Sequence, residues 1–409
     1  MVDFEVPEET RMILDGVRKF IRAEVEPSED RLADVLDDPR KTFDESGRYV
    51  PEILDEIRRI RMASAQAGYY SLFVPAEVGG GGGDFRTYYY AWEDLYHATG
   101  AGRIFPVWTF AHWATGPSTL HRFLDGKVRE QFLPPLLSGE RSSCFALSEP
   151  DAGSDVRNIR TRAVRDGDQW RISGTKQWVT NSPYAEYGIV FAISDPDLAA
   201  ARKGGVSAFV FETDQPGFNV DSVIRMLGSA GGDEAILSFD DVVVPDAQRL
   251  GPEHEGFAVA LEGVNFGRLY NGARSVGLSR WALEQAVAYS QTRVAFGKPI
   301  AEQQAIQWHL ADSAIEIYAA RCMGLHCAWK VDQGESVVKE LSMMKTFATE
   351  TCFQIFDRTI QVFGAMGLTN EVKLFDGLHT ARKIRIADGS QEILRRTIAR
   401  QLLKGDLSF

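Results

Sequence analysis

The chain has 409 residues, 44% of them hydrophobic, and a formal net charge of −12. Such a length accommodates two or three domains around a sizeable core, while an acidic balance without a long Lys/Arg run argues against nucleic acid or an anionic membrane surface as partner. Cys144, Cys322, Cys327 and Cys352 stand in apolar contexts with no C-x-x-C pair, the pattern of reduced core thiols in a cytoplasmic protein. The histidines show no ligand spacing, so no metal site is expected.

The opening stretch, "MVDFEVPEETRMILDGVRKF", is acidic and lacks an apolar h-region, and is expected to be neither a secretory signal nor a mitochondrial transit peptide. No apolar run approaches the ~20 residues of a membrane span. Residues 1–142 read as an α-helical domain. A first helix carries Met12, Val17, Phe20 and Ile21 on one face and is expected to end at Pro27. "VPEILDEIRRIRMASAQAG" is a second amphipathic helix, closed by Gly68. Gly79–Gly83 form a loop, expected to be a flexible turn, since no Lys-Ser/Thr follows to make it a phosphate cradle. The aromatic segments "FRTYYYAWEDLYH" and "RIFPVWTFAHWA" suit either core packing or the wall of a ligand pocket.

Residues 143–250 change character. An Asp166-Gly167 turn with alternating flanks is a hairpin signal. "YGIVFAIS", "GVSAFVFET" and "AILSFDDVVVP" follow as short β-rich runs, giving an antiparallel sheet or small barrel. From 251 to 409 the helical period returns. In "ARSVGLSRWALEQAVAYSQTR", Leu278, Trp281, Ala282 and Tyr289 form one stripe and Val276, Leu283 and Val287 a second, as in a helix buried in a bundle. Near the end, "DGS" breaks two amphipathic helices. Gly389 permits an unusual backbone turn, Ser390 is a good N-cap, and Leu394, Ile398 and Leu402 keep helical spacing. The plain reading of Asp388 is a carboxylate that helps cap the last helix. The fold class is thus mainly α within α+β: helices, then a β domain, then helices.

Four stretches, in order and in register, resemble the acyl-CoA dehydrogenase family: "CFALSEPDAGSD" (144–155), "ISGTKQWVTN" (172–181), "GRLYNGARSVGLSRWALEQAVAYSQTRVAFGKPIAEQQAIQWHLAD" (267–312) and "QVFGAMG" (361–367). The resemblance runs over nearly the whole chain. The ending "IADGSQE" is most similar to the branch with an "ADGPDE"-type signature, with Ser390 where that branch often has Pro. The resemblance implies a helical N-terminal domain, a central β domain and a C-terminal four-helix bundle. It also implies FAD held between the last two and reached by a neighbouring subunit of a homodimer or homotetramer.

Site residues follow from the same resemblance. Phe145, Leu147, Ser148, Gly153 and Ser154 line the FAD or thioester site, Ser148 standing where Thr is commoner. Trp178 packs on the isoalloxazine. Thr180, two residues on and so expected on the same strand face, bonds near the reactive N5. Arg293, suited to a pyrophosphate by its planar fork, acts with Phe296 on the FAD of the adjacent subunit. Gln304, Gln361, Gly364 and Ala365 are the matching polar and close-approach positions, Ala365 standing where Gly is frequent. Ser390 and Glu392 complete the cofactor set. Asn265, Arg268, Ser154 and Gly389 meet the thioester substrate.

Asp388 occupies the position where many family members carry a Glu that removes the α-proton of the thioester. It is one methylene shorter. Gly267 stands at the family's alternative base position and cannot serve. The implied reaction is FAD-dependent α,β-dehydrogenation of an acyl-CoA, with Asp388 taking the proton, flavin N5 accepting the β-hydride, and an electron-transferring flavoprotein receiving the electrons. Two other readings stay open: a flavin oxidase of the same fold, acting on acyl-CoA or, as in nitroalkane oxidase with its Asp base, on a nitroalkane; and a non-catalytic binding relative.

Overall fold

The computed structural model describes residues 5–408, so Met1–Phe4 of the acidic opening stretch and Phe409 lie outside the described residues. Its longer helices are α1 (Glu8–Phe20), α2 (Pro51–Gln66), α3 (Phe85–Thr99), α4 (Gly126–Leu137), α5 (Gly256–Thr292), α6 (Gln304–Asp332), α7 (Val338–Phe363), α8 (Leu374–Ile384) and α9 (Gln391–Leu403). The chain divides into two compact units: Met1–Lys19, Asp84–Pro106 and Asn265–Phe409 form one, and Phe20–Gly83 with Val107–Val264 the other. No helix among the described residues is long and apolar enough to cross a membrane.

The second unit is built on a sheet. Its strands are β1 (Ser143–Ala146), β2 (Arg162–Asp166), β3 (Gln169–Thr180), β4 (Tyr187–Ile193), β5 (Val206–Glu212), β6 (Phe218–Val223), β7 (Glu234–Pro245) and β8 (Arg249–Leu250). They run in the order β6-β7-β3-β2-β4-β5-β8, with β1 added parallel to β4. Apart from the short β2–β4 contact the remaining pairs are antiparallel. β2 and β3 make the expected hairpin, with Gly167 at φ +67° in its turn. Trp170, Ile172, Phe209, Phe211, Leu237 and Val242 pack one dry core.

Three expectations in the N-terminal helical stretch need correction. Pro27 does not end the first helix. The turn before it widens into a π-helical segment, Ile21–Val25, and Pro27 then sits in the first turn of Glu26–Arg31, where its missing N–H costs nothing. Val17, Phe20 and Ile21 are buried as expected, but Met12 is 64% exposed. The five-glycine loop is close-packed rather than open. The amides of Gly80, Gly81, Gly82 and Gly83 donate to Pro75, Ser71, Val74 and Leu72 carbonyls, which leaves none of these four for a phosphate. A Cβ on Gly80 would stand 2.3 Å from the Val74 carbonyl oxygen, so only glycine fits there. α2 closes at Gly68, with φ +82°.

The first unit is helical. α7 packs against α6, α8 and α9, and α3 packs on α6. The aromatic run of α3 is core: Tyr88, Tyr89, Tyr90, Trp92 and Tyr96 are each 5% exposed or less. Among them lies Glu93, 1% exposed, which accepts from Arg280 Nη1 at 2.5 Å and from Arg321 Nε at 2.7 Å. Both guanidiniums keep about a third of their surface. The carboxylate therefore bears the desolvation, and the arginines can turn to solvent when it is removed. Glu93→Ala is expected to lower the stability of this unit by about 2 kcal/mol, below the ~3–5 kcal/mol of a fully buried pair broken on one side. Chemical denaturation of the variant, followed by tryptophan fluorescence, measures the difference.

Candidate active site

The turn between α8 and α9 is held from three sides within the first unit. Asp388 adopts φ +53° and Gly389 φ +97°. Left-handed backbone is tolerated by Asp better than by most side chains, because a short polar group can bond locally. Lys345 of α7 is wholly buried. Its Nζ donates to the Ala387 carbonyl at 2.5 Å and to the Gly389 carbonyl at 2.8 Å, the carbonyls of the two residues either side of Asp388. Arg268 Nε of α5 donates to the carbonyl of Asp388 itself at 3.3 Å. At the next step, Gln391 N donates to the Arg385 carbonyl, and the Arg385 guanidinium joins Glu350 and the Gln391 side chain.

The Asp388 side chain does not cap α9. Its Oδ2 accepts from Asn271 Nδ2 at 2.7 Å, and Asn271 is buried on α5. Ser390 stands at the N-cap position but makes no side-chain bond to the helix amides. Glu392, exposed in the first turn, bonds its own amide and Ser390, which holds its pKa below the ordinary value. Asp388 keeps intermediate exposure as a whole residue. Its carboxyl is nevertheless desolvated enough to push its pKa above the ordinary aspartate value, against the pull of Lys345, Arg268 and the Asn271 bond. Burial lowers the Lys345 ammonium to about 8 and lowers Arg268, whose Nη1 donates to Asn265 Oδ1 at 3.2 Å. A carboxylate at this turn, with raised basicity and one oxygen fixed, can accept a proton.

In the second unit, β1 and β3 bring Leu147, Ser148, Trp178 and Thr180 together. Gln177 N donates to the Ser148 carbonyl at 2.9 Å. Trp178 does not reach its position by strand alternation. It is the extra residue of a β-bulge between Gln177 and Val179, with φ +64° and 52% of its surface exposed, and Val179 turns into the core. The bulge leaves Trp178 and Thr180 both more open than Val179. Phe145 packs edge-on to Trp113, with centroids 4.9 Å apart. Gly153 and Ser154 are exposed in the following loop.

That loop is anchored by a buried pair. Lys176 Nζ donates to Glu149 Oε1 at 2.8 Å and to the Leu147 carbonyl at 3.0 Å. Glu149 also accepts from Thr161 N and Oγ1 and from Arg160 N. With Lys176 fully buried and Glu149 nearly so, losing one partner strands the other. Lys176→Met is expected to destabilise this unit by about 3–5 kcal/mol, and Lys176→Met with Glu149→Gln to recover part of that loss. Denaturant midpoints of the single and double variants decide it.

The remaining expected residues lie on an exposed edge of the first unit. Tyr289 of α5 stacks on Phe363 of α7, with centroids 4.1 Å apart, and so joins the ends of the two helices. Arg293 and Phe296 project just beyond α5 in a small hairpin, Phe296 being 95% exposed at φ +54°. Gln304 opens α6 and is exposed. Gln361, Gly364 and Ala365 are exposed around the end of α7.

Sequence reasoning missed Lys345, Asn271 and the Lys176–Glu149 pair. Signals existed. Lys345 falls in the apolar stripe Leu341, Lys345, Ala348, Cys352 at helical spacing, and Arg268, Asn271 and Ser275 form a polar stripe on an otherwise buried helix.

Profiles of the acyl-CoA dehydrogenase N-terminal, middle and C-terminal domains match residues 7–140, 144–242 and 254–403. The chain is 34% identical over 403 residues to a probable acyl-CoA dehydrogenase, YngJ, of Bacillus subtilis, covering 98% of this chain and 100% of that one. It is 30% identical over 397 residues to the caffeyl-CoA reductase-Etf complex subunit CarC of Acetobacterium woodii, covering 97% and 99%. Among solved structures, butyryl-CoA dehydrogenase from Megasphaera elsdenii superposes with a TM-score of 0.81 at 26% identity, covering 98% and 100%. An FAD complex of PigA superposes with a TM-score of 0.82 at 25% identity, covering 98% and 99%. Similarity over the whole length, three domain matches in order and the same helix–sheet–helix architecture have one consequence: the chain belongs to the acyl-CoA dehydrogenase family, flavin oxidoreductases that act on CH–CH donors.

Proposed function

We propose that this protein catalyses FAD-dependent α,β-dehydrogenation of an acyl-CoA thioester, with Asp388 as the base and an electron-transferring flavoprotein as the electron acceptor. The observation that carries this reading is the placement of Asp388: a carboxylate in a left-handed turn, desolvated, with Oδ2 fixed by Asn271. The residues present fit a flavin. An indole half open to solvent on a bulge suits a flat ring, the hydroxyls of Ser148 and Thr180 its polar edge, and the exposed guanidinium of Arg293 a pyrophosphate. The naming of one relative as part of a reductase-Etf complex supports the electron-transfer partner.

In the chemical step, the α C–H bond of the thioester breaks and its proton moves to Asp388. When bound, the flavin supplies the acceptor for the β-hydride. A desolvated carboxylate is a stronger base than a hydrated one, and the nearby Lys345 and Arg268 favour its ionised form. Arg268 and Asn265 are the groups we assign to the substrate. Because the Asp388 pKa is raised, flavin reduction is expected to fall as pH drops through a midpoint above the ordinary ~3.9 of aspartate. Anaerobic bleaching at a series of pH values reads that limb.

Anaerobic bleaching with acyl-CoAs from short and branched to long and cyclic identifies the substrate. Asp388→Asn should leave acyl-CoA binding in place and slow flavin reduction by roughly 10²–10⁴-fold. Near-normal reduction in that variant returns Asp388 to a structural role. Hydrogen peroxide release with a nitroalkane, and no bleaching by any acyl-CoA, replaces this reading with that of an oxidase.

We further propose a homodimer or homotetramer in which Arg293, Phe296 and Gln361–Ala365 reach the cofactor of a neighbour. The exposed rings and aliphatic groups of the first unit support it: Phe296 at 95%, and on one side of α6 Trp308 at 60%, Ile315 at 66% and Tyr318 at 74%. Arg293→Ala is expected to weaken FAD retention by about 1.5–3 kcal/mol, the value of a charge-assisted contact, without loss of fold. Ultrafiltration of free FAD measures the first and circular dichroism the second. A stable monomer with full FAD occupancy in sedimentation counts against the shared site.

A further inference from the structure

The polar stripe of α5 and the buried ammonium of α7 meet at one turn. Lys345 ties down the carbonyls of the residues on both sides of Asp388, and so holds the backbone that presents the carboxylate. That leaves the two side-chain torsions of Asp388. Asn271, 3% exposed, bonds Oδ2 at 2.7 Å and sets them. Oδ1 has no hydrogen-bond partner among the described residues. One oxygen is therefore tethered and the other is open.

From this geometry we infer that Asn271 is a positioning residue for Asp388: its amide aims the carboxylate so that Oδ1 takes the proton, while Lys345 holds the turn that carries it. The inference rests on the reading of Asp388 as the base. A short acid needs this more than a long one, because it cannot recover reach by changing rotamer. The Asn271 side chain makes no other hydrogen bond among the described residues; its main-chain carbonyl accepts from Ser275 Oγ, an ordinary intrahelical contact. The charged and titratable groups around the carboxylate are Lys345 of α7, Arg268 of α5 and Tyr88 of α3. Both cations and the Asn271 bond favour the ionised acid, whereas burial opposes it.

The test uses the FAD-loaded enzyme labelled with carboxyl-¹³C aspartate. Infrared difference spectra, with Asp388→Asn as the blank, titrate the Asp388 carboxyl directly and need no substrate. Asn271→Leu removes the amide donor at similar volume, and is expected to raise the carboxyl midpoint by about one pH unit. With the acyl-CoA that bleaches fastest in the panel above, it should slow flavin reduction by about 10–100-fold, while acyl-CoA affinity stays within about twofold. In an Asp388→Asn background the same substitution should cause no further slowing, because it acts only through that carboxylate. An unmoved midpoint, or equal slowing in both backgrounds, overturns the inference. Asn271→Ala adds no volume and reads the same quantities if the leucine variant fails to fold. Lys345→Gln, which removes the adjacent charge, should raise the same midpoint; no change there removes Lys345 from the arrangement. If Asp388→Asn itself reduces flavin normally, the base assignment fails, and the infrared midpoint in Asn271→Leu still reports whether the amide governs the carboxylate.

Discussion

A buried ammonium is the constraint on which the site in the first unit depends. Lys345 is wholly buried, and its N–H donors must find acceptors inside the protein. Carbonyls of a regular helix are already engaged, so the acceptors have to come from a place where the helix is broken. The turn at 387–389 is that place: Ala387 and Gly389 offer free carbonyls because the chain there has left the helical path, with φ +53° and +97° at Asp388 and Gly389. The turn satisfies the lysine and the lysine fixes the turn. Burial lowers the ammonium to about 8, still charged at neutral pH, so its field also favours the ionised form of the carboxylate next to it.

The second unit uses the same device with one difference. Lys176 is equally dry, but it meets a carboxylate, Glu149, as well as a carbonyl, that of Leu147. Glu149 in turn gathers the amides of Arg160 and Thr161. A pair of this kind is a weak source of net stability against an apolar replacement, yet breaking one side of it is costly. Its effect is to fix the path of the chain from Leu147 through the Gly153–Ser154 loop. In each unit, then, the segment that carries the proposed chemistry is an irregular piece of backbone, held by a lysine on a regular element beneath it.

How much of this the sequence discloses depends on the range of the interactions involved. Periodicity located the helices and strands, because burial of one face repeats along the chain: α2 closing at Gly68 and the Asp166-Gly167 hairpin follow from local residues alone. The failures are non-local. Trp178 sits in a bulge of β3 against β7, with φ +64°, which no pattern within "KQWVTN" encodes. The plain reading of Asp388 as a cap fails for the same reason: its partner, Asn271, stands 117 positions away. Motif resemblance drew attention to Asp388 and Arg268, but not to Lys345 or Asn271. A lysine in an apolar stripe and an asparagine on a buried helix are the residues whose placement only the packed structure explains.

The aspartate itself then becomes intelligible. At a left-handed position a side chain with one methylene is better tolerated than one with two, since the shorter chain folds back to a nearby donor without crowding its own carbonyl. Asn271 is that donor. A shorter acid gives up reach, and reach can be recovered only by moving the backbone or by fixing the torsions that remain. Lys345 and Arg268 fix the backbone at three consecutive carbonyls, those of Ala387, Asp388 and Gly389, and Asn271 fixes the side chain. The Asp, the amide that orients it and the lysine under its turn are thus one solution to one geometric problem, and a change at any of the three alters what the other two are for.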